Sequence, residues 1–301
     1  MKKFLIFLLA NLFLTTPVFA APKVVVSIVP LHSLVASMMQ GVGEPQLLMA
    51  GQNSEHNASF SPQQLADMEH ADLVFMIGNN LETKLGEISG TETVGGKAFV
   101  KMNEIQGLIT HAIREGGTWE PDGDDPPSNG VSADPHIWLD PENAKLMVKT
   151  IEQTLDQVDP SNANIYNANA TKTLGELDRL EAELKTQLAP VAHKPFIVFH
   201  DAYQYFEYRF GVTAVGSISN FSATPPSAQR LEEIHKKIIS SNASCIYREP
   251  QFTDAAVQTV IEGTKAKSSI LDPIGATIKP GTAAYGELLR QIASNLTNCL
   301  S

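Results

Sequence analysis

Beyond its N-terminal leader-like stretch, the chain has no apolar run near the ~18 residues a bilayer-crossing helix requires, so no later membrane span is expected. Cysteine is scarce. Only Cys245 and Cys299 occur, and neither stands in a C-x-x-C, which argues against a redox or zinc-thiolate centre. Basic residues are the minority, 22 Lys and Arg against 33 Asp and Glu, for a formal charge of −11. Such a balance argues against nucleic acid and anionic lipid as partners, and suits a cation. Enzyme signatures are missing too: no H-E-x-x-H, no G-x-S-x-G and no G-x-x-x-x-G-K-[ST] is present.

What is there begins with Met1-Lys2-Lys3, an apolar run from Phe4 to Leu14, and Val18-Phe19-Ala20. A charged start, a short apolar core and a small closing residue describe a secretory signal peptide. Cleavage after Ala20 is expected, giving a soluble exported chain large enough for one big domain or two modest ones. In an exported chain the even pair Cys245 and Cys299 predicts a disulfide, adding roughly 4 kcal/mol by loop-entropy reasoning.

The rest alternates strand and helix patterns. Val24–Val29, Gln46–Ala50, Asp72–Ile77 and Ala98–Met102 read as strands, with helices at Leu31–Met39 and after Ser61-Pro62-Gln63-Gln64, a capping-box start. Phe196–Phe199, Val212–Ile218, Ser244–Glu249 and Ser268–Leu271 repeat the strands. Helices are expected at Ala202–Phe210, Pro226–Ser240 (Ser222, Thr224 or Ser227 as cap), Asp254–Glu262 and Ala284–Leu300. The fold class is α/β with parallel sheets. Between the halves, Pro141–Val158 reads as one helix. Pro160–Leu188, with Leu174, Leu177, Leu180, Leu184 and Leu188 three and four apart, reads as a long amphipathic spine joining two lobes. From Arg114 to Asp134, glycines, prolines and six carboxylates predict a mobile acidic surface loop.

Three of the eight histidines share a context. His56 follows the second strand, His136 marks the return from the acidic loop, and His200 closes the first strand of the second half. Asp272 ends a later strand of that half. Strand carboxyl ends in a parallel sheet lie along one edge, where such folds bind ligands. If the lobes face each other, three imidazoles and one carboxylate meet in an interlobe cleft, a donor set suited to Zn²⁺, whereas Mn²⁺ prefers more oxygen. Glu55 is either a carboxylate behind His56 or an alternative fourth ligand. Asp201 is expected to cap the following helix, and Tyr203 and Tyr205 to pack. His32, His70, His111, His193 and His235 are left outside the site.

Ser54-Glu55-His56, Ala71-Asp72-Leu73-Val74-Phe75, His136-Ile137-Trp138-Leu139, Phe199-His200-Asp201-Ala202-Tyr203, Arg248-Glu249-Pro250-Gln251-Phe252 and Leu271-Asp272-Pro273 run in order along the chain. Together they resemble the periplasmic zinc-binding components of bacterial high-affinity zinc-uptake ABC transporters, in the cluster A-I solute-binding group. The resemblance implies two (β/α)4-type lobes joined by a rigid backbone helix, with metal in between. It places the metal on His56, His136 and His200, with Asp272 or Glu55 as the acidic ligand. It also matches a Cys245–Cys299 disulfide. Manganese and iron members usually carry Glu at the position of His200, so zinc is favoured over those metals. Many zinc members have a histidine-rich loop before the His136 position, and here Ala112–Pro135 has no histidine at all.

The expected organisation is a signal peptide at 1–20, an N-terminal metal-binding lobe at 21–158 with the acidic loop at 114–134, a linker helix at 159–190, and a C-terminal lobe at 191–301. The expected function is a periplasmic, monomeric carrier, not an enzyme. It captures Zn²⁺ as transported ligand and passes it to an inner-membrane permease and its ATPase. A manganese or iron carrier of the same build, or a zinc hydrolase, is the alternative.

Overall fold

A computed structural model of the chain describes residues 20–50, 54–90, 98–119 and 133–301. The expected signal peptide therefore falls, apart from Ala20, outside the described residues, as do residues 120–132 of the expected acidic loop.

Two four-stranded parallel sheets form, one from each half. In the first, β1 (Val24–Ile28) is flanked by β2 (Gln46–Met49) and β3 (Leu73–Met76), and β4 (Ala98–Lys101) completes the order β2-β1-β3-β4. The second comprises β5 (Pro195–Val198), β6 (Thr213–Ser217), β7 (Cys245–Arg248) and β8 (Lys267–Ile270) in the equivalent order β6-β5-β7-β8. Every residue of the central strands β1 and β3 is buried. Parallel strands covered on both faces read as continuous apolar runs for this reason.

The helices start where the side chains supply acceptors. Ser61 and Gln64 form the expected capping box on α2 (Pro62–His70), while α1 (Val29–Met38) takes Pro30 in its first turn. A further helix, α3 (Thr83–Ser89), has no side-chain cap and was not expected from the sequence. Asp140 caps α4 (Pro141–Val158), accepting from the Glu142 N–H at 2.9 Å. The spine is α5 (Ala163–Leu188), 26 residues and about 39 Å long. In the second half follow α6 (Gln204–Phe210), α7 (Ala228–Ser241) capped by Ser227, α8 (Ala255–Ile261) and α9 (Ala284–Leu300).

The spine packs against α1, α4 and α9. Its buried Leu177, Leu180, Leu184 and Leu188 belong to one apolar core that also holds Val24 and Val26 of the first sheet and Phe196 and Val198 of the second. The lobes are thus two sheets with a shared interior, and this interior fixes where their strand ends meet. Cys245 and Cys299 form a disulfide that ties β7 to α9.

Part of the expected acidic loop is built into the fold. Ala112 bridges Ala133, Thr118 bridges Gly216, and the Trp119 N–H donates to the Val215 carbonyl at 3.0 Å, so this segment of the first half lies along the edge strand of the second sheet.

Candidate metal centre

Three short segments deliver the side chains. The edge strand β2 leads to a 3₁₀ turn at Glu55–Asn57, where the Ser54 hydroxyl accepts from the His56 N–H. A second 3₁₀ turn, Ile137–Leu139, begins just after His136. His200 lies two residues past the end of β5. The next strand over, β7, ends at Arg248, and the following residue, Glu249, lies beside His200.

One donor atom from each of Glu55, His56, His136 and His200 comes within 4.8 Å of all the others. The Oε1 atom of Glu55 is 3.9 Å from Nε2 of His56, 3.8 Å from Nε2 of His136 and 3.9 Å from Nε2 of His200. The last two nitrogens are 3.3 Å apart. A tetrahedral zinc with ligands at 2.0–2.1 Å has donor–donor edges of roughly 3.3–3.4 Å, which the His136–His200 edge already meets and which the three Glu55 edges reach on closing by about half an ångström. Oε1 of Glu55 and Nε2 of His56 are buried and have no hydrogen-bond partner among the described residues. Two orphaned buried acceptors facing one point fit a cation there, because a buried polar atom otherwise finds a donor.

Behind the ligands stand two carboxylates. Asp134 Oδ1 accepts from both the backbone N–H (2.9 Å) and Nδ1 (2.7 Å) of His136. Glu249 lies 2.7 and 2.8 Å from Nδ1 of His200 through its two oxygens. Each carboxylate puts the proton on Nδ1 and turns the Nε2 lone pair to the shared point, the usual support for metal-binding imidazole.

Burial and these partners split the titrations. Burial, reinforced by the neighbouring imidazoles, pushes His56 down to about 2, and burial also drives His136 well below the ordinary histidine value. Burial would lower His200 as well, but the Glu249 carboxylate outweighs it and lifts this ring to about 9. Glu55 rises to about 7, mainly through burial, against the opposing pull of His200.

The structure leaves Asp272 out of the four-residue group. Its carboxylate accepts the N–H groups of Ile274 (3.1 Å), Gly275 (3.0 Å) and Ala276 (2.6 Å) and the Gln251 side chain (3.1 Å), holding the turn after β8. Asp201 is also not the cap expected of it: α6 begins at Gln204 without a side-chain cap, and Asp201 pairs with Arg114 instead. Tyr203 and Tyr205 are buried as expected, and the Tyr205 hydroxyl also donates to the Asp134 carbonyl at 2.7 Å. His32 and His235 meet the carbonyls of Pro45 and Val260. Sequence reasoning gave no role to Glu249 and counted Asp134 with the loop. A carboxylate closing a buried strand, and one two residues before a candidate ligand, were the available signals.

The family model for the periplasmic zinc-uptake complex component A, ZnuA, matches residues 24–299. The high-affinity zinc uptake system protein ZnuA of Brucella suis is 42% identical over 307 residues, covering 92% of this chain and 91% of its own. Its counterpart from Paracoccus denitrificans is 31% identical, with 93% and 92% covered. A crystal structure of ZnuA aligns with a TM-score of 0.79 at 26% identity, covering 93% of this chain and 100% of that one. The periplasmic zinc binding protein TroA from Treponema pallidum shares the fold, with a TM-score of 0.79 at 21% identity over 93% and 99% of the two chains. With matching motifs, fold and whole-length similarity in agreement, this chain belongs to the ZnuA family of periplasmic zinc-uptake components.

Proposed function

We propose that the protein captures Zn²⁺ in the periplasm on Glu55, His56, His136 and His200, and delivers it to an inner-membrane ABC permease driven by a cytoplasmic ATPase. The observation that carries this reading is the pair of buried, unpartnered atoms, Oε1 of Glu55 and Nε2 of His56, directed at the same point as two carboxylate-backed imidazoles. Zinc is the cargo. Three imidazoles and one carboxylate suit it, while Mn²⁺ prefers oxygen-rich sites. Membership of an uptake family sets the hydrolase reading aside.

The lobes are taken as residues 21–158 and 191–301, joined by 159–190, in a monomer exported by cleavage after Ala20. His136 and His200 are braced by Asp134 and Glu249, whereas Glu55 and His56 share one short turn beyond an edge strand. Release then proceeds by movement of that turn rather than by a wide opening of the lobes, whose shared core resists it. The deciding experiment is equilibrium dialysis of the purified protein against equal concentrations of Zn²⁺, Mn²⁺ and Fe²⁺, with the retained ion identified by mass spectrometry. One zinc per chain is the expected result, and preferential retention of manganese or iron would overturn the reading.

A further inference from the structure

Beneath the site, two side chains join the support of His136 and Asp201, the residue next to His200, into one buried network. The Gln204 amide, on α6, reaches Asp134 Oδ2 at 2.8 Å, the Ala112 carbonyl at 3.1 Å and Asp201 Oδ2 at 3.5 Å. Arg114 comes from the opposite half of the chain. Its guanidinium meets Asp201 through Nε (3.1 Å) and Nη2 (2.5 Å), and Glu207 through Nη1 (3.3 Å) and Nη2 (2.9 Å). The Trp119 ring covers it, 3.7 Å from Cζ. The Arg114 side chain is 8% exposed, and those of Asp201 and Glu207 are 2% and 10% exposed. A planar fork that satisfies two carboxylates is more rigid than a point charge would be.

The connectivity runs from metal ligand to metal ligand. His136 bonds Asp134, Asp134 bonds Gln204, and Gln204 and Arg114 both bond Asp201, the neighbour of His200 in the chain. With one oxygen on His136 and the other on Gln204, the Asp134 carboxylate plane is fixed, and with it the tilt of the His136 ring. Arg114 fixes the backbone that carries His200. We infer that Gln204 and Arg114 are positioning residues for metal capture, holding histidines from opposite lobes in tetrahedral register before the ion arrives. This inference rests on the zinc-binding reading above and adds to it how the two lobes keep a common geometry. Loss of such outer support weakens metal binding about 10–100-fold.

The test compares the parent protein, Gln204→Met and Arg114→Lys. Gln204→Met keeps the length of the side chain and removes its donors. Zn²⁺ affinity is measured by competition with a chromophoric chelator, ligand geometry by the visible spectrum of the Co²⁺-loaded protein, and folding by melting of the metal-free form. For Gln204→Met the expected result is a loss of about 10–100-fold in zinc affinity, an altered cobalt spectrum and a cooperative metal-free melt near that of the parent. Arg114→Lys keeps the charge without the fork and gives the same spectral change with a smaller loss. A Gln204→Met protein that binds zinc within about threefold of the parent with an unchanged cobalt spectrum overturns the inference. So does one that unfolds without metal, since the amide would then serve the fold. A parent that binds no zinc sinks the underlying reading instead.

Discussion

Nε2 of His200 stands 3.3 Å from Nε2 of His136, and Nδ1 of each ring faces its own buried carboxylate at 2.7 Å. That spacing fits both an N–H···N hydrogen bond between the rings and the edge of a tetrahedral zinc site. His200, raised to about 9, supplies the proton of that bond, and His136, held well below its ordinary value, accepts it.

Zinc binding should therefore release protons. His200 must lose one at any pH below about 9, and Glu55 a second below about 7. Protons compete with the metal, so affinity rises roughly tenfold per pH unit from 7 to 9, more steeply below 7, and levels off above 9. Calorimetry at pH 8 in buffers of different ionisation enthalpy should count about one proton per zinc. A count of zero would refute this account of the site.

Replacing Glu249 by Gln keeps the volume and a hydrogen-bonding group but removes the charge that lifts His200. Burial is then opposed only by the weaker pull of Glu55 and Asp201, and the ring should titrate well below about 9. Proton NMR of the metal-free protein would read the shift directly. Zinc affinity should fall about 10–100-fold as the support is lost.

The two candidate acidic ligands separate by substitution. Glu55→Gln should weaken zinc by at least about tenfold, the scale of losing ligand charge or its support. Asp272→Ala should leave affinity within a few-fold. It should lower stability by about 1–3 kcal/mol, because the N–H groups of Ile274, Gly275 and Ala276 lose their acceptor. Chelator competition and denaturant melts on both variants decide the matter, and the opposite pattern would give the fourth position to Asp272.

Changing both Cys245 and Cys299 to Ser should cost roughly 4 kcal/mol in guanidinium unfolding, given a separation of 54 residues. Zinc affinity should hardly move, since neither residue belongs to the four-residue group. A large loss of zinc would mean that the tie between β7 and α9 positions Glu249.

Much of the fold was legible in the sequence because local chemistry decides it. Buried parallel strands announce themselves as apolar runs, and Ser61 and Ser227 mark helix starts by supplying acceptors for free N–H groups. Strand and helix ends shifted by a residue or two, and α3 escaped notice because it has no side-chain cap and only seven residues. His56, His136 and His200 were legible as candidates, since they stand at strand ends or a loop return, along the edge where parallel sheets bind ligands. The carboxylates were not. A carboxylate is a ligand, a cap, an ion-pair partner or a turn acceptor according to which donors reach it, and the residue type does not say whether those donors are local or distant. The tertiary fold brought Asp201 to Arg114 and Glu249 to the back of the His200 ring, while Asp272 was taken by the N–H groups of the turn that follows it and Asp134 by the imidazole two residues on. The packing left Oε1 of Glu55 buried with no hydrogen-bond partner among the described residues, facing three histidines.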